Sequence, residues 1–477
     1  MRRRKKGPEP TSKIKKRAKY RLTEYPSSSF TRLVSRIVIT NKLRRLGFNN
    51  FSLYFIDHHF CHAVTAAFCS GFKKAVVITL DGLGDGLSGT INQLSEGRLH
   101  PIASIPAKDS FGIFFEHVTN LMNMRELEDE GKVMALADYA CPVPDSENPL
   151  LSFIAVDGLT VQSKFLSLKM YDELSRILWR YPSEQFAFMA QRTLEVKVLE
   201  LVRNAIGHTG SDSICLAGGV FSNVKLNRLI RLLPDIKRCF VFPHMGDGGL
   251  PLGSALALNY QMTGEASVPL KSIFLGPEFD SKYIKGVLRQ ENLSYRKLGN
   301  TPQETARIIS GGEIVLWFQG KAELGPRALG GRSILALPNS LSIKDRLNLI
   351  LKKRVWYQPF CPSMLEEEAD DLLEDYDGYP NHFMTMAYMV KAGKRDILQG
   401  VINIDGSCRP QIVTEDNSLF FRLLKETKKR TGVGVLLNTS FNVHGEPMVC
   451  SPIDAVKTFI NKTDARFMVI GDYLVFR

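Results

Sequence analysis

The spacing of apolar residues divides the chain into strand-like and helix-like segments. In the first half, apolar runs that end in glycine-containing turns alternate with segments of helical spacing. Strands alternating with helices predict an α/β sheet, in which ligands bind at the carboxyl ends of the strands. The predicted strands are 73–82, 213–217 and 239–242, and the predicted helices are 30–47, 193–206, 221–232 and one that begins near Pro251.

A second domain is predicted after residue 265. Periodicity stops around 262–271, where small and turn-forming residues dominate. The pattern therefore predicts a basic tail over 1–29, a first domain over 30–265 and a second α/β domain over 266–477. The strands expected in the second domain are 314–318, 387–391 and 433–437, with a terminal hairpin of 467–470 and 473–476.

The charge of the chain is concentrated at its start. Of the formal net charge of +13 in 477 residues, +10 comes from the first 21 residues, which hold eleven Lys or Arg and one Glu. Three interpretations of this tail are open: a solvated, disordered extension, a stretch upstream of the true start, or an arm that binds RNA. The tail is also the only feature of the sequence that suggests nucleic-acid binding.

Composition also excludes several classes of protein. No apolar run approaches the roughly 18 residues of a membrane span, so no membrane association is expected. The eight cysteines contain no Cys-x-x-Cys pair, which favours reduced thiols and a cytoplasmic location.

A first candidate site combines imidazole and carboxylate groups. His58 and His62 are one helical turn apart, so on a helix they face the same side and can grip one metal ion. Asp81 and Asp247 each follow a predicted strand in a glycine-containing turn. Two histidines with carboxylates suit Fe(II) or another divalent metal. The alternatives are buried, hydrogen-bonded histidines and aspartates that only close turns.

Three glycine-containing turns at strand ends indicate a nucleotide site, because glycine lets backbone N–H groups approach phosphates. They are 81–86, 216–223 and 246–253. Lys132 lies between the first two turns in sequence and is a candidate phosphate contact, or alternatively part of a surface ion pair.

A second candidate site lies in the second domain. Lys321, Arg327 and Arg332 place three cations within twelve residues among glycines, and Arg409 and the polar run 438–442 add further donors. Arginine forks hold phosphate and carboxylate oxygens in pairs, so the set predicts an anion pocket. The alternative is a charged surface turn.

These stretches, in this order, resemble the O-carbamoyltransferases of antibiotic and nodulation-factor biosynthesis. The resemblance covers residues from about 50 to 477, and its most specific stretches are 321–333 and 438–447. It implies an ASKHA-type N-terminal domain of the actin and sugar-kinase class, like that of the tRNA threonylcarbamoyl transferases. It implies a smaller second domain with a fold similar to threonylcarbamoyl-adenylate synthase. The other matching stretches are 57–67, 79–85, 130–137, 216–227, 246–255, 318–338, 358–365, 405–413 and 436–452.

The resemblance also implies a two-step reaction. The second domain would form carbamoyl-adenylate from carbamoyl phosphate and ATP with Mg(II), and the first would transfer the carbamoyl group to a hydroxyl of a small molecule. Three sets of residues follow by position. The metal ligands would be His58, His62, Asp81 and Asp247; the nucleotide contacts would be Glu130, Lys132, Gly218, Gly219, Asn223 and Gly248; and the residues holding carbamoyl phosphate and the ATP phosphates would be Lys321, Arg327, Arg332, Arg409, Ser440 and Asn442.

The sequence departs from the family at its start. Residues 1–30 contain no opening strand and no phosphate-binding loop of the family type, so the first strands of the N-terminal domain are expected to be absent. A second polypeptide would then supply them, or the start is misassigned. Two alternatives stay open: a catalytically silent binding or regulatory subunit of the same fold, and carbamoyl transfer to a tRNA or protein acceptor.

Overall fold

The computed structural model describes residues 28–264, 268–379 and 381–477, and it divides the chain into two compact units, 1–269 and 270–477. The predicted basic tail lies almost wholly outside the described residues. Among the helices that are described, none is long and apolar enough to cross a membrane.

The first unit contains eight α-helices and seven strands among its described residues. The helices are α1 Ser29–Arg45, α2 His58–Ser70, α3 Phe111–Leu121, α4 Glu130–Leu136, α5 Ser167–Leu178, α6 Ser183–Thr209, α7 Val224–Arg231 and α8 Leu250–Thr263. The strands are β1 Lys74–Gly84, β2 Leu87–Ser95, β3 Arg98–Pro106, β4 Ile154–Asp157, β5 Thr160–Ser163, β6 Ser213–Ala217 and β7 Arg238–Val241.

A five-stranded sheet of order β3-β2-β1-β6-β7 organises this unit. β1, β6 and β7 run parallel, whereas β2 and β3 form an antiparallel meander on β1. The central strands β1 and β6 are apolar and buried along almost their whole length, as expected for strands covered on both faces. Because parallel strands end at the same edge, the turns after β1, β6 and β7 lie together.

The second unit is built on an eight-stranded mixed sheet of order β14-β11-β15-β10-β9-β16-β17-β8. Its strands are β8 Tyr295–Lys297, β9 Val315–Phe318, β10 Arg332–Ala336, β11 Cys361–Leu365, β12 Tyr388–Met389, β13 Ser407–Cys408, β14 Gln411–Val413, β15 Val435–Ser440, β16 Phe467–Ile470 and β17 Tyr473–Phe476, and β12 and β13 form a separate ribbon. Its helices are α9 Ser281–Gln290, α10 Thr301–Ser310, α11 Leu341–Asp345, α12 Glu366–Leu372, α13 Ser418–Thr431 and α14 Pro452–Lys462, and a π-helical turn covers Arg346–Leu351.

The core of this unit forms where α10 and α13 cover the sheet. Trp317, Leu335, Phe420 and Leu436 are fully buried there. On the same sheet, β15 lies between β10 and β11, which pairs Ser333 with Ser440 and Cys361 with Asn438. The second candidate site is therefore assembled on three neighbouring strands.

Most of the predicted elements are present. The strand 213–217 and the terminal hairpin are confirmed with the same bounds, and the strand after residue 433 is β15. Two predictions were wrong in extent: 387–391 contains only the two-residue strand β12, and the helix at 193–206 is part of the 27-residue α6. The antiparallel pair β2–β3 was not predicted.

Candidate functional site

The histidine pair is presented by α2, as the sequence predicted. Asp57 precedes the helix, and the Asp85 carboxylate accepts a 2.9 Å hydrogen bond from the backbone N–H of His58, which satisfies one free donor of the first turn. The spacing of four residues then puts His58 and His62 on one face. Their rings are 4.9 Å apart, centroid to centroid.

The two carboxylates come from the edge of the sheet. Asp81 lies in β1 where the regular pairing with β2 is interrupted, and Asp247 begins the turn before α8. α8 approaches α2 closely because residue 253 is glycine: a Cβ at Gly253 would lie 2.4 Å from the carbonyl oxygen of Cys61. This contact holds the turn bearing Asp247 against the histidines.

The four side chains converge on one point. The Nε2 atom of His58 is 3.2 Å from Asp81 Oδ2 and 3.6 Å from Asp247 Oδ1. The Nε2 atom of His62 is 3.9 Å and 3.7 Å from the same two oxygens. One ligand atom from each residue lies within 4.8 Å of all the others. The structure thus brings together all four predicted metal ligands.

The cluster fits a divalent metal ion. Nitrogen and oxygen ligands at about 2.0–2.2 Å from a common metal are separated from one another by distances of this order. In addition, the Nε2 atom of His62 is buried and has no hydrogen-bond partner, which is costly without a ligand. Two imidazole nitrogens with two carboxylates suit Fe(II) or Zn(II) better than Ca²⁺. The group is a candidate metal site, and the metal is not identified.

The electrostatics of the cluster keep Asp81 ionised. Burial raises its pKa, but the hydrogen bond with His58, the nearby His62 imidazole and the backbone N–H of Gly219 outweigh burial and hold the pKa well below its ordinary value. The Gly219 bond, 2.7 Å to Asp81 Oδ1, fixes the carboxylate from behind and leaves Oδ2 facing the histidines. His59 faces away and bonds to Thr79 Oγ1 at 2.9 Å.

We expect Gly219→Ala to weaken metal binding by about 10–100-fold, the usual effect of disturbing a group that orients a ligand. A Cβ there would lie 2.7 Å from Asp81 Oδ1 and would displace the carboxylate, whereas the backbone conformation itself tolerates alanine. Metal titration into the metal-free protein measures the effect. Gly207→Ala, where a Cβ meets nothing within 4 Å, is the control, and equal affinities for both variants would contradict the prediction.

The residues predicted to contact a nucleotide are mostly engaged in structural contacts. Lys132 pairs with Asp129 at 2.7 Å, and Glu130 accepts a 2.7 Å hydrogen bond from the backbone N–H of Leu127. Asn223 caps α7 through the backbone N–H of Leu226.

Gly218 and Gly248 are sites of close packing. Gly218 has a φ of 102° and approaches the Leu80 carbonyl so closely that only glycine fits. A Cβ at Gly248 would lie 2.0 Å from the His244 ring. Of the predicted nucleotide residues, Gly219 alone bonds directly to the metal cluster, and the nucleotide contacts remain predictions.

In the second unit, three arginine side chains lie near the thiol group of Cys361. Arg409 donates two hydrogen bonds to Cys361 Sγ, from Nε at 3.1 Å and from Nη2 at 2.9 Å. Burial and the charge of Arg409 lower the pKa of Arg327 to about 9. Burial, and to a smaller extent the charge of Arg409, lower the pKa of Arg354 to about 10. Both guanidinium groups stay protonated at neutral pH.

Lys352 adds a fourth cation, which the sequence interpretation missed. It is 2% exposed, and its ammonium group donates to the Ser440 carbonyl at 2.5 Å, to Ser440 Oγ at 3.1 Å and to Asn442 Oδ1 at 2.6 Å. The two predicted polar residues therefore hold this lysine directly. Burial, and secondarily the charge of Arg354, lower the pKa of Lys352 well below its ordinary value.

The four cations, Arg327, Lys352, Arg354 and Arg409, form what we call the cation cluster. Among the described residues, none of the four forms an ion pair with a carboxylate. Lys352 is buried and the three arginines are partly buried. Positive charges that are withdrawn from water without a counterion are costly, and such an arrangement is typical of an anion-binding site.

Two of the predicted anion-binding residues lie differently. The Arg332 guanidinium is fully buried, stacks on Phe318, and donates from its Nη atoms to four backbone carbonyls. Its main role in this structure is to brace the loop 319–332. The buried Glu323 carboxylate supports the same loop by accepting N–H groups of residues 329, 331 and 332. Lys321 is exposed.

Phosphate binding should depend on the charge of Lys352. An anion prefers the protonated lysine, so affinity is expected to fall as the pH rises through the lowered pKa, below the ordinary value of 10.5. Lys352→Met should bind phosphate more weakly and lose the part of this pH dependence that Lys352 causes; Arg327, whose pKa is lowered to about 9, still contributes in both proteins. Calorimetric titration between about pH 8.2 and 9.5, where inorganic phosphate is almost entirely the dianion, measures both. An identical pH profile in the variant would refute the assignment.

The chain matches two family models over most of its length. Residues 23–256 match the carbamoyltransferase N-terminus and residues 306–477 match the carbamoyltransferase C-terminus. The chain belongs to the carbamoyltransferase family of enzymes.

Among its relatives, the nodulation protein NolNO of Sinorhizobium fredii is 34% identical over 439 residues, 88% of this chain and 63% of NolNO. Nodulation protein NolO of Bradyrhizobium diazoefficiens is 33% identical over 432 residues, 88% of this chain and 78% of NolO. This chain thus spans less than two thirds of NolNO. Among solved structures, full-length HypF in its phosphate- and nucleotide-bound form aligns with 47% of this chain and 46% of its own at 15% identity and a TM-score of 0.28, too low to support an argument.

Proposed function

We propose that this carbamoyltransferase works in two steps, one in each unit. The second unit forms carbamoyl-adenylate from carbamoyl phosphate and ATP with Mg(II). The first unit transfers the carbamoyl group to a hydroxyl of a small-molecule acceptor, such as a sugar or a secondary metabolite. The proposal includes the folds implied by the sequence, an ASKHA-type first unit and a second unit like threonylcarbamoyl-adenylate synthase.

The observation that carries this proposal is the cation cluster. Forming a carbamoyl-adenylate brings a carbamate anion against the triphosphate of ATP, so the chief obstacle is repulsion between negative charges. One buried and three partly buried cations, without carboxylate partners among the described residues, supply the positioned positive charge that this step requires. A mixed sheet that fixes Ser440 beside Lys352 makes the arrangement rigid.

The first step begins with the hydrolysis of carbamoyl phosphate, in which water cleaves it into carbamate and inorganic phosphate. A carbamate oxygen then attacks the α-phosphorus of ATP, the bond to the β-phosphate bridging oxygen breaks, and pyrophosphate leaves. The cluster would hold the charged oxygens in line and neutralise the charge that develops on them.

The second step would take place at the metal cluster of the first unit. His58, His62, Asp81 and Asp247 would hold the ion, which would supply Lewis-acid polarisation of the carbamoyl carbonyl and neutralise the AMP leaving group. The acceptor hydroxyl attacks the carbonyl carbon, the bond from that carbon to the phosphate oxygen of AMP breaks, AMP leaves, and the hydroxyl proton is released to water. Gly219 keeps Asp81 oriented during this step through its N–H.

The proposal is tested by pyrophosphate release. The purified protein with ATP should release pyrophosphate only when carbamoyl phosphate is also present, and inorganic phosphate should appear in equal amount. Acetyl phosphate in place of carbamoyl phosphate is the control. Pyrophosphate release that is independent of carbamoyl phosphate would overturn the proposed first step, and no release at all with phosphate still bound would favour a silent binding subunit.

A further inference from the structure

Cys361 lies among arginine side chains at the edge of the cation cluster. Its side chain is buried, 5% exposed, at the start of β11, and its sulfur accepts both the Nε and the Nη2 hydrogen bonds of Arg409. Arg327 and Arg354 are close enough for the sulfur to influence their pKa values. Within the cation cluster, the sulfur therefore takes the place that a carboxylate usually has.

The direction of these two bonds determines what remains of the Arg409 fork. A guanidinium has five N–H donors in one plane: one on Nε and two on each Nη atom. The sulfur occupies the side edge, formed by Nε and one hydrogen of Nη2. The end edge, formed by Nη1 and the other hydrogen of Nη2, is left for a second acceptor, and this edge matches two oxygens of one phosphate or carboxylate group.

Register in the sheet keeps the sulfur in place. Cys361 pairs with Asn438 across β11 and β15, and the Asn438 amide donates to Ser363 Oγ at 2.9 Å and to the Ala328 carbonyl at 3.1 Å. Ala328 follows Arg327 directly. The same strands thus fix both the acceptor for Arg409 and the backbone next to Arg327.

We propose that Cys361 is a positioning residue for the anion site of the cation cluster. Its sulfur clamps the side edge of Arg409 so that the end edge of the guanidinium is presented to an oxyanion of the phosphate or carbamate type. This inference rests on the proposed function, since it assigns the partner of Arg409 within that site.

A double-mutant cycle with inorganic phosphate as the probe tests the proposal. Cys361→Ala should weaken phosphate binding by about 10-fold, the loss expected when a hydrogen bond that orients a charged group is removed. Cys361→Ser, which retains an acceptor, should recover part of the affinity. In the Arg409→Ala background, Cys361→Ala should have no further effect, because the side chain that it orients is gone.

The outcomes separate this inference from the proposed function. Cys450→Ala, an exposed cysteine of the same unit, is the control and should bind phosphate like the unaltered protein. Equal loss from Cys361→Ala with and without Arg409 would mean that the cysteine acts only through packing, and would overturn the positioning role. Failure of the unaltered protein to bind phosphate would overturn the anion site itself.

Discussion

Arg327→Ala should reduce carbamoyl-adenylate formation by about 10²–10³-fold, the cost of removing one positioned charge from a site that stabilises developing negative charge. Arg327 is suited to this role because it lies in the cation cluster and, within the described residues, has no carboxylate to neutralise it. The rate of formation of carbamoyl-AMP, followed by mass spectrometry, measures the loss.

Two comparisons make this result specific. Arg327→Lys retains a charge but loses the planar fork, so it should restore only part of the rate. Arg289→Ala, an exposed arginine of α9, should leave the rate unchanged. The bound metal content should be the same in all three variants. An Arg327→Ala protein that loses both adenylate formation and metal would show that the two sites are not functionally separate.

The double variant His58→Ala/His62→Ala should lose its metal while it continues to form carbamoyl-adenylate. Two of the four converging ligand atoms are removed, including the buried Nε2 of His62 that has no other partner. A site that retains only Asp81 and Asp247, the latter with a 70% exposed side chain, should bind divalent metals weakly. Elemental analysis of the purified protein should change from about one metal per chain to nearly none.

His100→Ala is the matched control, since this histidine is exposed on β3 and lies outside the cluster. Its metal content should equal that of the unaltered protein. Full metal occupancy in the double variant would refute the assignment of His58 and His62 as ligands. Loss of adenylate formation together with the metal would refute the division of the two steps between the two units.

The metal cluster could be predicted from sequence because each of its parts has a local signature. The four-residue spacing of the histidines defines a common helical face, and the aspartates follow apolar strands in glycine-containing turns. Parallel strands end at one edge of a sheet, so the spatial convergence follows from these local features. The close approach of α8 at Gly253, which completes the site, had no such signature.

The cation cluster could be predicted only in part. Arg327 and Arg409 lie in glycine- and polar-rich stretches that indicate a ligand site. Lys352 and Arg354 instead follow the π-helical turn within a basic run that also contains the exposed Lys353, and a surface segment has the same pattern. The burial of Lys352 is decided by packing against β15, more than 80 residues away in sequence, whereas Arg354 bonds to the nearby Asn348 and stacks on Phe360.

Arg332 is the opposite case: the sequence indicated a ligand contact, and the structure shows contacts within the protein. Its position beside Arg327 in a glycine-rich loop suggested a phosphate contact, yet four carbonyl groups take up its Nη donors. An arginine that binds an anion and one that braces a loop look alike in sequence, because the difference lies in where the backbone carbonyls point.

Helix α1 also differs from its prediction. Its apolar face was predicted from the spacing, but Leu33 and Ile37 on that face are 54% and 53% exposed.

Isotope-labelled carbamoyl phosphate provides the most direct test of the two-step reaction. Incubation of the metal-free His58→Ala/His62→Ala protein with ATP and ¹³C-carbamoyl phosphate should yield carbamoyl-AMP that carries the label, detected by mass spectrometry, because formation continues while transfer is blocked. If neither this variant nor the unaltered protein produces labelled carbamoyl-AMP, although both bind phosphate, the adenylate mechanism is wrong.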